Sequence, residues 1–102
     1  MIDLIKHIVM WKFHENAHGK TKKENIEIAG GMLTALKEKI DVLKSIEFHA
    51  NVGSDKNFDA VLITTFANLE DLQKYAVHPE HVKVGEYISV AASARSAVDF
   101  EL

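Results

Sequence analysis

The chain has 102 residues, no cysteine, one proline and one tryptophan, and its 12 basic and 15 acidic side chains leave a net charge of -3. The absent cysteines exclude disulfides and thiolate metal sites, and the intermixed charges offer neither a basic stripe for nucleic acid nor an acidic tail for a charged partner. A hydrophobic content of 47% is enough for one packed core and too high for disorder.

The N-terminal stretch "MIDLIKHIVMWKF" is apolar but interrupted by Asp3, Lys6 and His7. It lacks the basic start and small-residue cleavage site of a signal peptide. No apolar run in the chain approaches the ~18 residues of a membrane span. A cytoplasmic protein is the expectation. Residues 4 to 13 form the first predicted strand. Ile5, His7, Val9, Trp11 and Phe13 share one face by period two, and Leu4, Lys6, Ile8, Met10 and Lys12 share the other. "HENAHGK" reads as a polar loop. Thr21 and Glu24 then fit a capping box, in which each side chain satisfies a free amide at a helix start.

Ile26, Ala29, Leu33, Leu36 and Ile40 recur at spacings of three and four, the apolar stripe of one helix. Gly30 and Gly31 lie within it, at up to ~1 kcal/mol each relative to alanine; a tight helix–sheet contact is the ordinary reason. Residues 44 to 52 alternate, with Ile46, Phe48, Ala50 and Val52 predicted on a buried face. "GSDKN" is a turn, and "FDAVLITTF", residues 58 to 66, a third strand. Asn68 caps a short helix, "LEDLQKYA". A further helical piece starts at Pro79, and "ARSAVDFEL" closes the chain as a fourth strand with Ala94, Ser96, Val98, Phe100 and Leu102 on one face.

The order βαββαβ is the ferredoxin-like α+β arrangement, a four-stranded antiparallel sheet with its first and third strands central. Both of those strands are largely apolar on both faces, whereas two helices cover one face only. The uncovered apolar face predicts a homodimer with sheets packed face to face.

The stretch "KYAVHPEHVKVGEY" places Tyr75, His78 and His81 around the only proline. The residue before a proline avoids the helical region, and Pro79 suits the first position of a new helix. His78 then falls at the cap. His81 falls in the first turn, where free amides disfavour a protonated imidazole and a neutral ring is suited to accept a proton. If the face of the first strand that carries His7 meets the helices, Tyr75, His78, His81 and His7 converge on one pocket, with His78 mainly serving the helix start. Each has an ordinary alternative: His7 a hydrogen-bonded core histidine, His78 a structural cap, Tyr75 a cover for the core. His78 and His81 have the spacing of a metal pair but no third ligand, so no metal or cofactor is expected. His14, His18 and His49 read as surface residues.

"IKHIVMWKF", "LKSIEFHANV", "YAVHPEHVKVGEY" and "AVDFE" together resemble the stress-responsive α/β-barrel domain, or Dabb, family over nearly the whole chain. The resemblance implies a single domain over residues 1–102, a dimeric α+β barrel built of ferredoxin-like halves, and many relatives without known activity. One plant member type, the polyketide cyclase that makes olivetolic acid, closes its product by an aldol step. On that likeness His81 is the general base, Tyr75 orients the substrate or donates to its oxygen, His7 supports them as a further catalytic residue, and His78 supports them in binding. The resemblance thus implies a homodimer binding a small, largely apolar or carbonyl-bearing ligand; the alternative is a cyclase-like lyase.

Overall fold

In the computed structural model, residues 4–102 are described; residues 1–3, and with them Asp3, lie outside the described residues. Strands β1 (Ile5–Phe13), β4 (Ser45–Ala50), β5 (Ala60–Phe66) and β6 (Ala92–Glu101) form one sheet in the order β4-β5-β1-β6. All three pairings are antiparallel. Helices α1 (Lys22–Thr34), α2 (Leu69–Val77) and α3 (Pro79–Ala91) complete the ferredoxin-like fold. No helix among the described residues is long and apolar enough to cross a membrane.

Local chemistry explains most boundaries. Thr21 and Glu24 form the full capping box of α1. Past Thr34 the helix tightens into a 3-10 turn over Ala35–Glu38, and the apolar stripe continues through buried Leu36 and Ile40. Gly30 is where α1 crosses β4. A Cβ there would lie 2.7 Å from the Phe48 ring, whereas one at Gly31 would meet nothing. Asn68 caps α2 by accepting from the Asp71 amide at 2.8 Å.

Three expectations need correction. The segment "HENAHGK" is not a plain loop. It contains a small hairpin of β2 (Asn16–Ala17) and β3 (Lys20–Thr21), turned by His18 and Gly19 at φ 55° and 71°. Two successive positive φ values define the turn type that matches strand twist, and strands of two residues are too short to alternate visibly. The second main strand ends at Ala50 rather than Val52, which is 99% exposed. Its edge position lets the chain leave the sheet once Asn51 engages the following turn through Gly53 and Asn57. The third strand begins at Ala60; just before it Asp59 still donates its amide to the Trp11 carbonyl and accepts from the Asn51 amide, both at 2.8 Å, while its carboxylate accepts from the Phe13 amide at 2.7 Å and faces Lys22 at 3.4 Å.

The helices cover the face of β1 that carries Ile5, Val9, Trp11 and Phe13, all buried, together with Leu62, Thr64 and Phe66 of β5. The opposite face is open. On it Ile8 lies between Ile63 and Val98, and Met10 between Val61 and Ser96. Met10, Val98 and Phe100 are 39%, 57% and 44% exposed. Edge strand β6 turns its apolar side to this open face. Its polar side, with Arg95 opposite Trp11 and Asp99 opposite His7, is turned towards the helices.

Candidate functional site

The polar side of β6, the adjacent face of β1 and the length of α3 enclose a cavity of about 350 Å³. Its walls are mainly apolar, from Val9, Leu33, Leu62, Val84 and Ile88, with His7, His81 and Arg95 as the titratable or charged groups.

His7 is held on β1, in register with Asp99 of β6 and Thr64 of β5. Its Nδ1 is hydrogen-bonded to the Asp99 carboxylate, and its backbone carbonyl accepts from the Thr64 hydroxyl at 3.0 Å. Thr64 is thereby a fully buried polar residue with its hydroxyl satisfied.

The corner between α2 and α3 forms as the proline dictates. His78 has extended backbone, φ -63° and ψ 134°, and serves as end of one helix and cap of the next. Its Nδ1 accepts from the Glu80 amide at 3.1 Å. This occupation keeps His78 out of the cavity wall. One residue beyond that amide, His81 lines the cavity. Its Nδ1 is 3.0 Å from the Ala76 carbonyl. A carbonyl only accepts, so Nδ1 carries the proton and donates. Nε2 is left as the unprotonated nitrogen, with no protein partner among the described residues. Burial lowers the His81 pKa below the ordinary histidine value. The Ala76 hydrogen bond opposes this in part, and the nearby His7, Arg95 and His78 add to the lowering.

Tyr75 lies beneath the His81 ring, with centroids 4.4 Å apart, and against Phe66 at 5.0 Å. It is 1% exposed, and its hydroxyl has no protein partner among the described residues. Burial pushes that hydroxyl's pKa well above the usual tyrosine value. Tyr75 is not part of the cavity wall; it touches the site through His81.

Of the four residues expected at the site, His7 and His81 share the cavity, Tyr75 supports His81 from below, and His78 holds the helix start. Arg95 and Trp11 were missed. Their signal was the period-two pattern: Trp11 lies on the His7 side of β1, and Arg95 on the side of β6 away from its apolar residues. A second missed cluster lies under α3. Buried Asn25 donates to the Ala17 carbonyl at 2.9 Å and accepts from the Tyr87 hydroxyl at 2.6 Å. The exposed His18 stacks on the Tyr87 ring at 3.9 Å. These contacts tie the small hairpin to α1 and α3.

Comparison with known proteins adds the following. The family model described as the stress responsive A/B barrel domain matches residues 5–102. A dimeric protein of unknown function with a ferredoxin-like fold from Bacteroides fragilis is 31% identical, with a TM-score of 0.88 over 97% of this chain and 96% of its own. A Dabb family protein from Mesorhizobium loti shares the ferredoxin-like fold at 17% identity, with a TM-score of 0.71 over 96% of this chain and 95% of its own. Hydroxynitrile lyase from Passiflora edulis has the same fold at 12% identity, with a TM-score of 0.85 over 100% of this chain and 95% of its own. No curated protein matches the chain.

Proposed function

Because this chain belongs to the stress responsive A/B barrel domain family, we propose that it acts in the cytoplasm as a homodimer. Each subunit holds a small, largely apolar, carbonyl-bearing ligand in the cavity between α3 and the β1–β6 half of the sheet. The observation that carries this reading is the cavity itself: about 350 Å³, apolar walls, and two imidazoles held in fixed hydrogen bonds at its edge. Binding sites for small molecules have this character, a mostly apolar concavity with a few placed polar groups. The dimer rests on the open face, where Ile8, Ile63 and Val98 form a continuous apolar row. Each 100 Å² of apolar surface covered there is worth about 2.5 kcal/mol.

A second reading follows from the tautomer of His81. An unprotonated Nε2 on a half-buried, neutral imidazole is a general base. In a cyclase-like lyase it would take a proton from the carbon next to a ligand carbonyl. The electron pair of the broken C–H bond would move onto the carbonyl oxygen, forming an enolate that attacks a second carbonyl in an aldol step. The imidazolium would then return the proton to the new alkoxide. His7, oriented by Asp99, is placed to hydrogen-bond the ligand oxygen. Tyr75 would act by positioning the His81 ring.

Trp11 lines the cavity and is the chain's one tryptophan, so its emission reports occupancy. Titration with neutral and anionic carbonyl compounds of six to twelve carbons should give saturable changes. Gly85 supplies the control. It lies in the cavity wall, and a Cβ there would meet nothing within 4 Å. Gly85→Leu should fill the cavity and abolish binding while leaving the fold intact, since leucine is the better helix former. Ligand affinity unchanged in Gly85→Leu would defeat the proposed location. In the lyase reading, His81→Ala should remove turnover and leave the melting temperature close to the parent's.

A further inference from the structure

Building on the cavity as a ligand site, we propose that its natural ligand is an amphipathic monocarboxylate, with Arg95 at the mouth as the group that selects the carboxylate. Arg95 is the only arginine of the chain. Among the residues lining the cavity it carries the one permanent charge, and no aspartate or glutamate shares the wall with it. No carboxylate lies within ion-pair distance of Arg95 among the described residues. The nearest acid on the same side of β6, Asp99, is four positions further along, roughly 13 Å of strand, and is engaged by His7.

No other side chain of the wall is a permanent cation. His81 keeps a lone pair at Nε2, the Ser89 hydroxyl donates to the Glu86 carbonyl at 2.8 Å, and His7, which can add one hydrogen bond to a ligand oxygen, is engaged at Nδ1 by the Asp99 carboxylate. One guanidinium against apolar walls therefore leaves a single unmatched positive charge at the edge of a low-dielectric space. A planar carboxylate fits its fork with two parallel hydrogen bonds. A phosphate, with up to two charges, would call for more cations than the wall has.

Position and size define the rest of the ligand. Arg95 is exposed on the edge strand, whereas Val9, Leu33 and Leu62 are 2% exposed at the back. The acid group thus sits at the mouth with the apolar body inside. A volume of about 350 Å³ is the space of about a dozen waters at ≈ 30 Å³ each, which sets the ligand at roughly a dozen non-hydrogen atoms.

The test compares octanoate with its neutral counterpart octanamide, read by Trp11 emission at constant salt. Octanoate should bind the parent about tenfold or more tightly than octanamide, as charge-assisted hydrogen bonds do. Arg95→Met should weaken octanoate far more than octanamide and so remove the preference for the acid. Arg95→Lys should keep part of the preference. Equal affinity for acid and amide in the parent, or unchanged octanoate affinity in Arg95→Met, would overturn the carboxylate assignment and leave the cavity reading in place. Saturable binding of neither probe, with Gly85→Leu behaving as the parent, would overturn both.

Discussion

His81 shows how one side chain's protonation is set by its surroundings. Its folded pKa lies below the unfolded one, chiefly through burial, so below about pH 6.5 the unfolded chain takes up this proton before the folded chain does. Stability therefore rises with pH across that window and falls as pH drops below it, levelling off once the folded form also protonates. The parent should lose stability between pH 7 and pH 5, measured by urea melts, and His81→Gln should lose less over the same interval. Equal losses would mean that His81 is not the titrating group. The tyrosine–histidine–proline–histidine corner could be located from sequence, because a proline dictates where one helix stops and the next begins. Which ring would line a cavity could not, because that depends on β6, a strand more than ten residues further along.

Caps and crossings decide the elements. His78→Ala removes the side-chain acceptor for the Glu80 amide and should cost about 1 kcal/mol of stability, with no change in ligand affinity. The paired glycines of α1 should separate cleanly. Gly30→Ala drives a methyl into the Phe48 ring and should destabilise by about 1–3 kcal/mol as an overpacked contact. Gly31→Ala meets open space and should stabilise by up to about 1 kcal/mol through helix propensity. Chemical denaturation of both variants checks the pair; similar signs would show that α1 does not cross β4 at Gly30. Both glycines look alike in the sequence, and only the partner across the helix–sheet gap distinguishes them. The hairpin β2–β3 was illegible for a related reason. Its turn depends on two positive φ values, and its attachment through Asn25 depends in turn on Tyr87, far away in the chain.

For the molecule as a whole, the proposed dimerisation through the open sheet face is tested by behaviour in solution. Light scattering should give about twice the 11.4 kDa chain mass at micromolar concentration. Ile63→Asp, in the middle of the apolar row beside Ile8, should shift the equilibrium to monomer, because the interface would bury an unpaired charge. A folded parent monomer at the same concentration would rule the face out as an interface. The ferredoxin-like neighbour from Bacteroides fragilis is itself dimeric. The inverted edge strand makes the same point physically: β6 carries its valine and phenylalanine on the open face and its arginine and aspartate on the side of the helices.

Periodicity alone carried the order of the main elements, the strand arrangement and the two-faced apolar character of β1 and β5. Those properties follow from which residues alternate along a local stretch of backbone, and local stretches are what a sequence displays. The capping box of Thr21 and Glu24, the Asn68 cap and the break at Pro79 are local in the same sense. The cavity is not. It exists because antiparallel pairing brings Asp99 opposite His7 and Arg95 opposite Trp11, and because α3 then lies across that half of the sheet. Contacts between residues about ninety positions apart are set by register and packing, and no pattern within either segment specifies them.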